Sequence, residues 1–238
     1  MPCLPFNNFS KSPIDKWRTG PYCHFIRRII IIVIGITGRI SSGKSTVASI
    51  MKKTNDRTRV LDIDTIAKSI YEKNTGIKAE LKKIFGQGVM DEDGNILYAK
   101  LSEIVFSDQI ELNKLNRLMF PLIRREVKGM IKSDMDNDYI IVDAAILFDA
   151  KLDLLCDFII LVDTDKILRK TFLKNKNFND NEIELRINGQ HIKINKSRVD
   201  FHIINDGGME NLKEKTLDIF KEVEIKKKNK DQDGKEKI

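Results

Sequence analysis

One eight-residue segment restricts the fold of this chain more than any other feature of its sequence. It follows an apolar, β-branched run at residues 29–36 and reads Gly38-Arg39-Ile40-Ser41-Ser42-Gly43-Lys44-Ser45. The G-x-x-x-x-G-K-S spacing, between a predicted strand and a predicted helix, is typical of a loop whose backbone N–H groups surround a phosphate. The sequence therefore predicts a nucleotide-binding loop at the start of the folded core.

The characteristic residues of this loop each have a chemical role. Gly38 and Gly43 allow the backbone to close around a phosphate at the positive end of the following helix. Lys44 is placed to reach the β- and γ-phosphates, and the Ser45 hydroxyl is a hard oxygen ligand that suits Mg²⁺. We therefore expect ATP and Mg²⁺ as cofactors, and the candidate nucleotide-binding residues here are Gly38, Arg39, Ile40, Ser41, Ser42, Gly43, Lys44, Ser45 and Thr46.

Short runs rich in Ile and Val alternate with helical patterns along the rest of the chain. Strands are predicted at residues 29–36, 60–63, 139–142, 157–162 and 202–205, with helices at 45–53 and 65–85 and from 209 onward. Continuous apolar strands separated by helices indicate a parallel sheet that is covered on both faces. The predicted fold is α/β, a P-loop type, three-layer, doubly wound parallel sheet over residues 29–225. It includes a helical insertion at about 80–132 and a lid at about 166–198.

Carboxylates follow the predicted strands and are candidates for the reacting site. Asp62 and Asp64 are two residues apart at the C-terminal end of a predicted strand, which places both on one face. Phosphoryl transfer requires a carboxylate that accepts the proton of the attacking hydroxyl. The alternative is that one of the pair caps the helix that follows. Asp143 ends the third strand in the position of an acidic residue that holds Mg²⁺ through water. Asp163 has the same form, and the sequence leaves open which of the two lies beside the loop.

The two ends of the chain lie outside this pattern. Residues 1–28 are proline-containing and lack a sustained period, so they form a predicted N-terminal extension; organelle targeting is an alternative to a cytoplasmic location. The apolar run at residues 29–36 is too short for a membrane helix, which requires about 18 or more apolar residues. Residues 226–238 are predicted to be a charged, solvated C-terminal tail.

Composition restricts the partners. The net charge is +7, yet the 35 acidic residues are interspersed among the 42 basic ones and the aromatic residues form no stacking platform. We therefore expect no nucleic-acid partner and no membrane partner. The three cysteines contain no Cys-x-x-Cys pair, which indicates a reducing compartment rather than a disulfide framework. The oligomeric state is open, with a monomer favoured.

With these motifs identified, the chain resembles the dephospho-CoA kinases from about residue 33 to residue 223. The phosphate loop and the Thr46-Val47 pair after it are similar to the opening segment of that family. Residues 61–67 resemble its Asp-Ala-Asp segment, in which the second aspartate corresponds to Asp64. Further matches are Phe85-Gly86, Asp93-Gly94, Val105-Phe106, Leu115, Pro121-Leu122-Ile123, residues 142–149, Gln190, Asp200, Ile203, Asn205 and Gly207.

This resemblance implies an activity and a set of site residues. ATP would donate its γ-phosphate to the ribose 3′-hydroxyl of dephospho-CoA, which is the last step of coenzyme A biosynthesis. Asp64 would be the base and Lys44 would stabilise the transferred charge, assisted by Lys170 or Lys174 from the lid. The helical insertion would hold the CoA moiety. The remaining implied roles are adenine binding by Asn205 and Gly207, beside the metal binding already expected of Ser45 and Asp143.

Several positions depart from the family pattern. Arg39 replaces the second glycine of the loop, Tyr98 replaces an arginine and Phe120 a histidine. Ala145 replaces a proline, and the lid positions for one Gln and two Arg fall on Ile167, Lys170 and Lys174. Lysine cannot reproduce the bidentate contact of arginine with phosphate. Two alternatives therefore stand beside the main interpretation: another P-loop nucleoside or small-molecule kinase, and a catalytically weakened ATP-binding regulator.

Overall fold

The computed structural model describes residues 31–189 and 192–233. The predicted N-terminal extension, the matching residue Gln190 and the last five residues lie outside the described residues.

Strands and helices alternate along the described residues. The five strands there are β1 (Ile32–Thr37), β2 (Thr58–Asp62), β3 (Tyr139–Asp143), β4 (Phe158–Asp163) and β5 (Phe201–Ile204). The helices are α1 (Lys44–Thr54), α2 (Ile63–Lys73), α3 (Thr75–Phe85), α4 (Tyr98–Ser107), α5 (Gln109–Ser133), α6 (Lys166–Lys174), α7 (Asp180–Asn188) and α8 (Met209–Asp233).

The strands form one parallel sheet in the order β2-β3-β1-β4-β5. Central strand β1 lies between β3 and β4, and its Ile34 is in register with Ile141 on one side and Phe158 on the other. Every residue of β1 is buried, as its continuous β-branched composition predicts for a strand covered on both faces. The carboxyl ends of all five strands therefore meet at one edge, and the predicted fold class is confirmed.

Two groups of helices cover the sheet. Helix α1 packs against α8 and the strands. Helices α2 to α5 share a second cluster with Val33 of β1, Ile140 of β3 and Ile159 of β4. In that cluster every second residue of a strand faces the same layer of helices, as the pleat of a strand requires. The helical insertion thus takes the form of α3, α4 and the 25-residue helix α5.

The prediction of a solvated tail from residue 226 is wrong for Lys227. Helix α8 begins at Met209, as predicted, but continues to Asp233. The Lys227 side chain is buried, with Nζ 3.1 Å from Asp138 Oδ1 and 4.7 Å from the centre of the Tyr139 ring. An ion pair and a cation–π contact therefore attach the last turns of α8 to the sheet. No helix in the described part of the chain has the length and apolar character needed to cross a bilayer.

Candidate active site

The phosphate loop emerges from the centre of the sheet edge. It connects β1 to α1, and β3 lies next to β1 on one side and next to β2 on the other. Asp143 is in register with Ile36 of β1 and with Asp62 of β2. Carboxylates that lie 81 residues apart in the chain therefore come to adjacent strand ends, at the edge where parallel α/β sheets bind ligands.

Both glycines of the loop are required by its geometry. Gly38 has φ of 151°, and a Cβ atom there would lie 2.1 Å from the carbonyl oxygen of Val162. Gly43 has φ of 101° and precedes the first turn of α1, where a Cβ would lie 2.7 Å from the Asn205 side-chain nitrogen. These conformations and distances exclude a side chain. The glycine spacing in the sequence thus reflects close approaches of the loop to β4 and to the residue after β5.

Buried hydrogen bonds from residues outside the loop hold it in place. The Ser42 carbonyl oxygen accepts from Thr164 Oγ1 at 2.8 Å and from Asn205 Nδ2 at 3.0 Å. The Asn205 Oδ1 atom accepts from the backbone N–H of Gly207 at 3.1 Å. Asn205 was expected to contact adenine, but its amide is buried and occupied by these two partners. Its role in the structure is to support the loop.

The loop also contains buried polar atoms that have no protein partner. The Ser41 and Ser42 hydroxyl oxygens are both buried and make no hydrogen bond within the described residues. Buried hydroxyls without partners are unfavourable, and proteins retain such groups where a ligand satisfies them. These two hydroxyls, with the N-terminus of α1 beside them, fit a phosphate group.

Lys44 lies among charged groups of both signs. Its Nζ donates to the Arg39 carbonyl oxygen at 3.1 Å, so the side chain folds back over the loop. Burial lowers the pKa of Lys44, the charges of Asp143 and Asp64 oppose that effect, and the positive charge of Lys176 adds to it. The same four groups therefore share one electrostatic environment, which places the ammonium group where phosphate charge would be stabilised.

The structure identifies which strand-end aspartate faces Ser45, the serine expected to bind Mg²⁺. Ser45 Oγ donates to Asp143 Oδ2 at 2.7 Å. Burial raises the pKa of Asp143, while the Ser45 hydroxyl and the charge of Lys44 act in the opposite direction. Asp163 instead accepts from the backbone of Thr164 and lies near His202. A hydroxyl and a carboxylate side by side are hard oxygen donors of the kind Mg²⁺ prefers, so Asp143 and Ser45 fit that ion.

The expectation that Asp62 and Asp64 share one face of a strand is wrong. Strand β2 ends at Asp62, whose carboxylate caps α2 by accepting from the backbone N–H of Asp64 at 3.0 Å and the Thr65 hydroxyl at 2.8 Å. The capping alternative is therefore correct for Asp62. Asp64 lies in the first turn of α2. Partial burial and then the Asp62 charge raise its pKa, against the charges of Lys44 and Lys68.

The lid region is a pair of short helices, α6 and α7, that pack through Leu173, Ile183 and Ile187. Both lid lysines predicted to assist catalysis have carboxylate partners within the lid. Lys170 pairs with Glu184, and Lys174 Nζ lies 3.0 Å from Asp180 Oδ1. The structure thus directs both charges to the interface between α6 and α7 rather than to the loop.

Two other basic residues approach the loop instead. The positive charge of Lys176, in the turn after α6, lowers the pKa of Lys44, and the charge of Arg39 in the loop lowers the pKa of Arg169. Neither residue was expected from the sequence, because the lid positions were assigned by matching them to the one Gln and two Arg of the family pattern. A usable signal existed for Arg169, which is one helical turn before the buried Leu173 and so lies on the same face of α6.

Comparisons with known proteins identify the family of this chain. The dephospho-CoA kinase family model matches residues 32–211. The dephospho-CoA kinase of Carboxydothermus hydrogenoformans is 32% identical over 197 residues, covering 81% of this chain and 94% of that protein. Its counterpart in Lactobacillus acidophilus is 34% identical over 188 residues, covering 77% and 92%.

Solved structures have a similar fold. The protein TT1252 from Thermus thermophilus matches with a TM-score of 0.65 and 27% identity, covering 79% of this chain and 95% of that one. The dephospho-CoA kinase from Campylobacter jejuni matches with a TM-score of 0.52 and 20% identity, covering 81% and 97%, which supports the fold alone. The resemblance inferred from the motifs is confirmed, and the chain belongs to the dephospho-CoA kinase family.

Proposed function

We propose that this enzyme transfers the γ-phosphate of ATP to the ribose 3′-hydroxyl of dephospho-CoA, giving ADP and coenzyme A. One observation carries the proposal beyond family membership. The loop lysine Lys44 shares an electrostatic environment with both Asp64 and Asp143, so a phosphate-binding cation, a base and a metal-binding carboxylate converge at one sheet edge. Phosphoryl transfer depends mainly on such positioning and charge stabilisation.

The loop residues hold the phosphates of the donor. Backbone N–H groups at the start of α1 and the partnerless hydroxyls of Ser41 and Ser42 supply hydrogen bonds to phosphate oxygens. Lys44 exchanges its contact with the Arg39 carbonyl for the β- and γ-phosphates. Because Thr164 and Asn205 already fix the Ser42 carbonyl, the loop requires little reorganisation when the donor binds.

The metal-binding residues are Ser45 and Asp143. Their oxygen atoms lie 2.7 Å apart, and they would hold Mg²⁺. When bound, this ion neutralises charge on the phosphate oxygens of the donor. The protein's own side chains carry out the proton transfer and bind the phosphates.

Asp64 is the residue that accepts the proton of the acceptor hydroxyl. Its position in the first turn of α2 brings it close enough to Lys44 for the two charges to interact. A raised pKa makes the Asp64 carboxylate a stronger base than an exposed aspartate. The cap formed by Asp62 fixes the first turn of α2, and hence the place from which Asp64 acts.

The helices beside the loop bind the acceptor and limit water. Helices α3 to α5 lie between α2 and β3 in the chain, and we assign the CoA moiety to them. The lid formed by α6 and α7 closes over the phosphates, because a reactive phosphoryl group exposed to water would be hydrolysed. The proposal also includes a cytoplasmic, monomeric enzyme without a nucleic-acid or membrane partner.

A coupled ADP-release assay tests the proposal. Purified protein with ATP and Mg²⁺ should release ADP with dephospho-CoA, but not with adenosine, AMP or shikimate, and Lys44→Ala should abolish the release. Phosphorus NMR of the product should show a 3′-phosphate. Release with a nucleoside instead would favour the alternative small-molecule kinase. ATP binding without release on any acceptor would favour an ATP-binding regulator.

A further inference from the structure

Arg169 of α6 is a buried cation with unsatisfied hydrogen-bond donors. Its side chain is only 4% exposed, and its Nε and Nη1 atoms have no hydrogen-bond partner in the described residues. A buried guanidinium normally has a carboxylate or carbonyl partner, because leaving its charge and its N–H groups uncompensated is strongly unfavourable. An arginine retained in this state indicates that a group absent from the protein alone completes its contacts.

The charges around Arg169 do not neutralise it. Burial lowers its pKa most, and the positive charge of Arg39 lowers it further, while Asp163 and Asp165 oppose both effects. Those carboxylates have other partners. Asp165 caps α6 through the backbone N–H of Ile167 at 2.7 Å, and Asp163 accepts from the backbone of Thr164 at 2.9 Å. Neither forms an ion pair with Arg169 within the described residues, so two guanidinium groups of like charge remain close together.

The position of this pair is next to the phosphate loop. Helix α6 follows Thr164, whose hydroxyl donates to the Ser42 carbonyl, so the start of the lid is attached to the loop. Ile40 of the loop packs on the cluster that contains Leu173, one helical turn after Arg169. Arg169 therefore lies on the face of the lid helix that meets the loop segment carrying Arg39.

All of the unsatisfied groups at this junction can donate hydrogen bonds. They are the Arg169 Nε and Nη1 groups on the lid side and the hydroxyls of Ser41 and Ser42 on the loop side. Two like charges and several free donors where the loop meets the lid helix are complementary to an anion with multiple oxygens. A phosphate has that chemistry, and arginine is the side chain best suited to contact it in a planar, bidentate manner.

We infer that Arg169 and Arg39 together bind a phosphate group of the nucleotide and couple closure of the lid to the presence of that group. This inference rests on the proposed function, since it requires the donor in the loop. Arg39 contributes from the loop and Arg169 from α6, so the phosphate brings the two elements together by removing the repulsion between their charges. Lys170 and Lys174 do not supply this contact, because they are paired with Glu184 and Asp180.

Calorimetric titration of ATP and of inorganic tripolyphosphate into the full chain tests the inference. Arg169→Gln and Arg39→Ala should each weaken both ligands about tenfold or more, and the double variant should lose less than the product of the two losses. Lys166→Gln is the matched control, because it removes one positive charge from the exposed start of the same helix. It should leave both affinities within about twofold of the parent.

Thermal unfolding without ligand separates this role from a structural one. The melting temperature of Arg169→Gln should equal or exceed that of the parent, because the variant removes a buried, uncompensated charge. A lower melting temperature with unchanged affinity for both anions would overturn the inference and make Arg169 a packing residue. Arg39→Ala alters an exposed side chain, so its affinity remains a test even if Arg169→Gln fails to fold.

The two proposals fail in different ways. Anion binding that depends on both arginines, without phosphorylation of dephospho-CoA, would remove the proposed function and leave the arginine contact intact. Normal turnover of dephospho-CoA by Arg169→Gln, with parental ATP affinity, would remove the arginine contact and leave the proposed function intact.

Discussion

The phosphate loop and the lid touch each other, yet different kinds of interaction hold them in place. The loop is fixed by two buried hydrogen bonds to the Ser42 carbonyl and by the close approach of Gly38 to the backbone of β4. The lid helices are joined by exposed ion pairs, such as Lys174 with Asp180, whose side chains are 61% and 80% exposed. A small apolar cluster around Leu173 adds to these pairs.

This difference explains how one edge of the sheet can be both rigid and adaptable. A buried hydrogen bond is costly to break because the remaining partner stays unsatisfied. An exposed ion pair contributes only about 0–1 kcal/mol, because water and salt screen it. The loop is therefore preorganised for phosphate, whereas the lid can change its contacts at a small cost in free energy.

The largest effect is expected when the positive charge of Lys44 is removed from the loop. Lys44→Ala should lower kcat by about a thousandfold, because it removes the cation that stabilises the transferred phosphate charge. Folding should be unaffected or slightly improved, since burial disfavours this charged side chain. Steady-state ADP release and thermal unfolding measure both quantities. A variant with more than a tenth of the parental kcat would contradict the role of Lys44.

Gly38→Ala tests whether the close approach to β4 holds the loop. The new Cβ would lie 2.1 Å from the Val162 oxygen, so we expect a loss of about 3 kcal/mol in the free energy of unfolding and no measurable ATP binding. Gly94→Ala is the matched control: Gly94 also has positive φ, of 76°, but nothing lies within 4 Å of its Cβ position. That variant should lose only about 1 kcal/mol. Equal losses in urea unfolding would mean that backbone conformation alone matters at Gly38.

Asp62→Asn tests how the negative charge at the end of β2 affects the pKa of Asp64. The Asp62 charge helps to raise the pKa of Asp64, so its removal should lower that pKa. Since Asp64 must be deprotonated to act as the base, the acid limb of the profile of kcat/KM against pH should move to lower pH. Asparagine caps a helix as well as aspartate does, which preserves the first turn of α2. An unchanged acid limb would assign it to another group.

The smallest effect is expected in the lid. Asp180→Asn removes the exposed partner of Lys174 and should change the free energy of unfolding by less than about 0.5 kcal/mol. Urea unfolding at low and high salt measures this contribution, which added salt should reduce further. A loss above 1 kcal/mol would show that the ion pairs hold the lid as firmly as hydrogen bonds hold the loop.

Most of the fold could be predicted because its signals are local. The β-branched runs gave the strands to within a few residues, and the G-x-x-x-x-G-K-S spacing located the turn between β1 and α1. The sequence pattern also predicted the helical insertion and the start of α8. The end of β2 could not be predicted, because Asp62 and Asp64 suit both a strand end and a helix cap. Only the helical conformation of Ile63, the residue after Asp62, shows that the strand has ended and the helix has begun.

The sequence by itself determined that this chain is a parallel α/β protein with a phosphate loop and a member of the dephospho-CoA kinase family. The tertiary structure decided that Asp143 rather than Asp163 faces Ser45, that Asn205 supports the loop, and that Arg169 is the buried lid cation. The physical reason is that motif spacing is a property of adjacent residues. Strand order and the face of a helix that is buried depend instead on residues that are distant in the chain.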